Sequence, residues 1–206
     1  EIERNKLTHA VASNNGNTAL GYPVYVDRNH DGVLDNQDMT YLGNADPVVY
    51  GGLQNNFRIG KFNLGVYFVY SLGGKIFNYS ELYMSGSRTT NQYAYMVNAW
   101  HPVKNPDSNL PRAGIIDGDV HSTRMLHDAS YLRLKTVSLS YMWNVKKKFI
   151  RDITFSISGE NLYLWKYYNG FDPDVSTSSE GSTLRRMDLG AYPRARTIMA
   201  SIQFRY

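Results

Sequence analysis

The apolar positions of this chain recur every second residue. From Phe62 to Leu72, Phe62, Leu64, Val66, Phe68, Tyr70 and Leu72 share one parity, and Asn63, Gly65, Tyr67, Val69 and Ser71 share the other. Apart from Val69, this is the period of a strand with one greasy side. A preceding run, Val48 to Phe57, is joined to it by Arg58-Ile59-Gly60-Lys61, so the two read as a hairpin. Alternation returns from Tyr131 to Trp143, where Val137, Leu139, Tyr141 and Trp143 oppose Thr136, Ser138 and Ser140. It returns again from Ile153 to Trp165, with Ile153, Phe155 and Ile157 opposite Thr154, Ser156 and Ser158. At the end of the chain Ile198, Ala200, Ile202, Phe204 and Tyr206 share a side. The pattern predicts strands over 48–58, 61–73, 129–143, 151–165 and 196–206 within a region 46–206. Residues 1–45 read as loop or weak strand, and 74–128 and 166–195 as long loops, the first with a short helix over Asn91–Trp100.

The connections therefore run short, long, short, long. In an up-and-down sheet, alternate connections lie at the same end. Both tight turns (58–61 and 144–152) then sit at one end and both long loops at the other, the asymmetry of bacterial outer-membrane barrels. Strands of about 11 to 15 residues are long enough to cross the hydrocarbon when tilted. Tyr70, Tyr131, Tyr141, Trp143, Tyr163, Trp165 and Tyr206 stand near strand ends, as interfacial girdles do. A soluble β-sandwich, with its apolar faces meeting in a core, is the competing architecture. Five strands cannot close a membrane barrel, because the smallest use about eight. An open edge in lipid leaves backbone groups unpaired, so a barrel reading makes this chain part of a larger barrel and a C-terminal fragment.

Composition narrows the remaining classes. A mean hydropathy of −0.44 and the lack of an apolar run of about 18 residues exclude a transmembrane helix but not a membrane strand. With no Cys there is no disulfide framework and no thiolate chemistry. The net charge of +4 is mild and its one dense cluster is Lys146, Lys147, Lys148 and Arg151, too narrow for a nucleic-acid groove. Near a membrane that cluster could meet anionic head groups. Glu1 to Leu7 is charged and carries no signal-peptide core, which fits a removed signal or a start within a longer protein. The five histidines are scattered, and no nucleophile elbow, Walker loop or dinucleotide fingerprint is present, so no enzyme is expected.

Several blocks resemble one family. They are Asp46 to Phe57 followed by Phe62-Asn-Leu64, Trp100 with Asn105-Pro106 and Pro111-Arg112, Asp128 to Lys135, Ser158 to Leu162, Tyr168 to Val175, and Tyr192 to Thr197. In that order they resemble the C-terminal third of SusC/RagA-type TonB-dependent outer-membrane transporters. The resemblance implies an all-β fold: an antiparallel transmembrane barrel, here the last five or so of 22 strands, with Tyr206 at the aromatic terminal position. It implies import of oligosaccharides or peptides across the outer membrane of a Gram-negative, Bacteroidetes-like bacterium. The implied partners are a SusD-like surface lipoprotein, the TonB complex reached through an absent N-terminal part, the remaining barrel and plug, and outer-membrane lipid. Ser201 stands where the family often has glycine. The alternative is a soluble extracellular glycan-binding β-sandwich, its long loops braced by calcium.

Two sets of candidate site residues stand out. Asp27, Asn29, Asp31, Val33, Asp35 and Asp38 fall at positions 1, 3, 5, 7, 9 and 12 of an EF-hand-type loop over 27–38, with Gly32 at position 6. Ca²⁺ needs about six or seven hard oxygens on a tightly turned chain. Asp38 replaces the usual Glu and no flanking helices are evident, so a structural clip on an external loop is expected, against an Asx-rich turn without metal. Tyr93, Tyr95, Trp100, Tyr167 and Tyr168 could stack on sugar rings or on a lipoprotein partner, or pack within the loops. Arg112, Arg185, Arg186, Arg194 and Arg196 could meet acidic ligands or form loop ion pairs. Glu160 is read as facing polar groups of a lumen.

Overall fold

The structure is a computed structural model that describes residues 8–9, 21, 25–34, 36–85, 91–114, 123–147, 149–175, 177 and 185–206. The chain divides into two compact units. One comprises Asn44–Ile76, His127–Met187 and Ala191–Tyr206, and the other Glu1–Gly43, Phe77–Leu126 and Asp188–Gly190.

The first of these contains a five-stranded antiparallel sheet. Its strands are β1 (Val49–Ile59), β2 (Phe62–Leu72), β3 (Tyr131–Lys147), β4 (Ile150–Lys166) and β5 (Thr197–Arg205). In space they follow chain order, β1-β2-β3-β4-β5, as an up-and-down meander. Gly60 and Lys61 alone link β1 to β2, and Gly60 has φ +59°, the left-handed conformation that the first central position of a tight hairpin turn requires. Residues 148–149 alone link β3 to β4. Residues 144–147 and 150, expected in a turn, are strand instead. Asn144 pairs with Asp152 and Lys147 with Ile150, because polar side chains that end an apolar pattern do not prevent the backbone ladder from continuing.

Cross-strand register joins the alternations into two surfaces. One row runs Phe57, Leu64, Leu139, Ile157, Ala200; the row beside it runs Ile59, Phe62, Tyr141, Phe155, Ile202. The next polar row runs Asn56, Gly65, Ser138, Ser158, Met199. Val69, Met142, Leu164 and Met199 are the large aliphatic residues on the polar side. Among the described residues nothing covers the apolar surface: Leu53 is 57 %, Ile157 51 % and Ile202 58 % exposed. At about 25 cal/mol per Å², water would make such a surface costly.

Register shifts adjust the phase, one of them between Asn144 and Lys147 near the tight turn. Lys135 is extra between Leu134 and Thr136, so Leu132 and Leu134 share a face with Val137 and Leu139 despite their different parity. On β4 the register advances from Glu160 to Tyr163, and Asn161 adopts φ +52°. Its amide donates to the Ala195 carbonyl at 3.0 Å, which anchors the start of β5.

In the second unit, the short helix α1 (Tyr79–Met84) buries Leu82, and a 3-10 turn, Ala94–Asn98, buries Met96. That turn replaces the helix expected over Asn91–Trp100. Asn78 caps α1 by accepting from the Glu81 N–H at 3.0 Å.

Candidate functional site

The polar surface of the sheet carries groups that a water-filled lumen can use. Its β4 row, Asp152, Thr154, Ser156, Ser158 and Glu160, meets Asn144, Met142, Ser140, Ser138 and Thr136 of β3. Glu160 thus lies among threonines, Thr136 and Thr197, as expected for a polar face, and the longer β4 adds Asp152 as a second acid within a strand. Tyr67 lies across Gly52, where a Cβ would come within 2.8 Å of its ring. The bulged Lys135 places Nζ 5.7 Å from that ring's centroid, a cation–π contact that leaves a charge on this face.

Toward the long-connection end, three stretches of chain are tied by ions. Arg133 donates to Asp172 at 2.6 Å, with side-chain exposures of 5 % and 3 %. Asp172 also accepts from the Asp174 N–H at 2.9 Å, and Asp174 pairs with Arg194 at 2.7 Å. Arg185 pairs with Asp46 at 3.1 Å, and Arg186 donates to the Ser71 hydroxyl at 3.1 Å. Of the arginines of the second long connection, Arg186 holds it to β2, Arg185 ties it to the residues before β1, and Arg194 braces it internally. The buried Arg133–Asp172 pair was not predicted, although a lone Arg inside an alternating strand is a signal for it. Asp128 accepts from the Ser130 N–H at 2.7 Å, while the Ser130 hydroxyl accepts from Gly73 at 2.8 Å. The Ser130 hydroxyl bond holds the Asp128 carboxyl below its ordinary range.

Among the candidate aromatics of this unit, Tyr167 is 80 % exposed and open to contact, whereas Tyr168 is 2 % exposed. Tyr168 packs with Ile76 and Ala129. Its ring also lies edge-on to His127 and against Gly170. An enclosed ring has no face left for a ligand, so Tyr168 is a core residue.

The other unit holds the remaining candidates. Tyr93 and Tyr95 stack on each other, with centroids 5.5 Å apart and planes 12° apart, and the Tyr95 hydroxyl donates to Glu81 at 3.0 Å. Burial first, then the Glu81 charge, pushes the Tyr95 phenol above its ordinary range. Trp100 is half-buried, and its ring lies so close to Gly21 that a Cβ there would come within 2.5 Å. It anchors a turn whose far side forms a cleft of about 730 Å³ lined by His101, Lys104, Asn105 and Arg112, among others.

In the acidic loop, Asp27 accepts from the His30 and Gly32 N–H groups at 2.7 and 2.9 Å. Asn29 and Asp31 accept from Asp31 and Val33, and Asp38 accepts from Arg28 at 2.7 Å. Gly32 has φ +83°, as the sharp turn at position 6 requires. Asp35 lies outside the described residues. Among the described residues, no three His or acidic side chains converge as a metal cluster.

No protein-family model matches the chain. It is similar to TonB-dependent receptor P3 of Formosa agariphila, with 29% identity over 95% of this chain and 20% of the relative. It is also similar to TonB-dependent receptor SusC of Bacteroides thetaiotaomicron, with 23% identity over 89% of this chain and 17% of that one. The chain thus spans about a fifth of the length of the curated relatives it matches. The structure of the RagAB peptide transporter shares its fold, with a TM-score of 0.66 and 23% identity over 79% of this chain and 17% of that one. With its open meander of one apolar and one polar face, the chain is thus similar to a segment of TonB-dependent receptors of the SusC type and shares the fold of the RagAB β-barrel.

Proposed function

We propose that the chain supplies five neighbouring staves of an outer-membrane importer that takes up oligosaccharides or peptides. The carrying observation is the continuous apolar surface on one side of all five strands, paired with a polar surface on the other. Hydrocarbon accepts the first and a lumen the second. Two aromatic pairs support the fit to a bilayer. Phe62 and Tyr141 lie 4.8 Å apart toward the tight-turn end, and Tyr163 and Trp165 4.6 Å apart toward the other. From Leu132 to Trp143 is about ten pleated steps, roughly 33 Å along the strand. At a tilt of about 40° that gives about 25 Å of height, the apolar band of an outer-membrane barrel.

In this reading the strands carry no chemistry; transport belongs to a complete barrel and plug driven by the TonB complex, with a SusD-like lipoprotein over the external loops. The test is uptake by cells that carry the receptor with β2 to β4 intact against cells in which Ser138, Ser140 and Ser156 are replaced by Leu. The lumen variant is expected to reach the outer membrane and lose uptake. Normal uptake by that variant counts against the importer. The exposed apolar face disfavours a sandwich module, whose strands would bury it.

We also propose that the loop 27–38 binds Ca²⁺ as an external clip. The spacing and the positive φ of Gly32 support it. The oxygens would come from Asp27, Asn29, Asp31, the Val33 carbonyl, Asp35 and Asp38. Equilibrium titration should give weaker Ca²⁺ binding in Asp27→Ala and Asp31→Ala; equal affinity in all three proteins removes the site.

A further inference from the structure

The tight-turn end of the sheet is cationic. Arg58 and Lys61 stand at the first hairpin, Lys146, Lys147 and Arg151 at the second, and Arg205 closes β5. Register sorts them by face. Arg205 lies opposite Asp152, which in turn lies opposite Asn144, so this row belongs to the polar side. Arg151 falls between Ile150, paired with Lys147, and Asp152, paired with Asn144, so Val145 and Lys146 together stand opposite it. Two residues against one make a bulge. Arg151 shares its parity with Ile153, which sets it on the apolar side.

Lys146 and Arg151 thus bring like charges to opposite positions of one ladder, an arrangement that destabilises a sheet. Asp152 lies on the other face, and among the described residues no acid pairs with the exposed Arg151. The next row inward on the same side is Trp143, Ile153 and Phe204, with Trp143 48 % and Phe204 51 % exposed. A dibasic row therefore borders a continuous apolar one on a single face.

We propose that this border binds an anionic diacyl phospholipid, its phosphate at Lys146 and Arg151 and its acyl chains along Trp143, Ile153 and Phe204. The inference rests on the reading that the apolar face meets hydrocarbon, and adds a headgroup to it. A guanidinium and an ammonium give the phosphate charge-assisted hydrogen bonds, and its charge offsets their mutual repulsion. A free phosphate would meet the cations and leave the apolar row beside them in water. A zwitterionic lipid would bring a further cation to a row that already holds two.

The test uses the receptor carrying this segment, with Ile153→Cys as its one accessible cysteine, labelled with bimane and reconstituted in phosphatidylcholine vesicles. Phosphatidylglycerol or phosphatidylcholine bearing a doxyl quencher high on one acyl chain is then titrated in. Phosphatidylglycerol is expected to reach half-quenching at about a tenfold lower mole fraction, the scale of two cations at a membrane surface. Lys146→Gln and Arg151→Gln should each cut that preference to about threefold. Arg151→Lys should keep it, and so should Arg205→Gln, which lies on the polar face. Quenching by phosphatidylcholine, expected unchanged in every variant, reports that each has folded and inserted. Equal quenching by the two lipids in the labelled receptor overturns the site alone. So does a preference that Arg205→Gln lowers as much as Arg151→Gln does, since that is a diffuse charge effect. No quenching by either lipid overturns the site together with the lipid-facing reading.

Discussion

Arg133 carries a charge on the sheet's polar face with almost no contact with water, and there it pairs with Asp172 and stands 5.5 Å from the centroid of the Tyr131 ring. Removing one partner of such a pair strands the other, which costs about 3–5 kcal/mol. Asp172→Ala is therefore expected to release the connection 166–195 to rapid proteolysis while the strands stay protected, and Asp172→Asn should fall between the two; unchanged cleavage would show that the pair does not hold the loop. Tyr95 makes a different prediction. Folding raises its pKa, so its contribution to stability is complete below the ordinary tyrosine value near 10 and is lost as pH rises through the folded value. Ultraviolet titration should show one tyrosine ionising after the rest, and Tyr95→Phe or Glu81→Gln should abolish or advance that step. These contacts were only partly legible beforehand. The arginines could be seen as loop ion pairs, but which carboxylate each would meet depends on a fold-back of some forty residues between Arg133 and Asp172 that no local pattern encodes.

Strands were the most readable elements, because period-two alternation with one apolar parity has few other solutions. Their ends and bulges were less so. At Lys135 the apolar parity switches from Leu132 and Leu134 to Val137 and Leu139, and that switch was present in the sequence as the signature of an extra residue. Asn144 to Asp152 read as a turn because it is polar, yet strands that leave the hydrocarbon continue as polar ladders in water. Helix α1 was missed because six residues show no period, although Asn78 followed three residues later by Glu81 is a capping signal. The face assignment makes an element-scale prediction. Leu139→Arg puts a cation on the apolar face and should cost about 2–4 kcal/mol if that position lies near mid-bilayer, whereas Ser138→Arg, one residue away, should cost about 0–1. Urea titration of the receptor folded in lipid vesicles, read by heat-dependent gel mobility, measures both; equal costs would contradict the assignment.

As a whole molecule, the sheet makes sense only with neighbours. β1 and β5 are its edges, eleven and nine residues long, and each has one side of its backbone ladder unmet by a described strand. In hydrocarbon every such unpaired group costs several kcal/mol, so the strands need flanking staves, as the likeness to far longer receptors suggests. The central claim is that the face bearing Val137, Leu139, Tyr141 and Trp143 touches lipid tails. Nitroxide labels placed singly from Thr136 to Trp143 of the receptor in a lipid bilayer test it most directly. The account predicts high oxygen accessibility at 137, 139, 141 and 143, and high accessibility to a water-soluble nickel chelate at 136, 138 and 140. An accessibility profile without a two-residue period, or with the opposite phase, would contradict it.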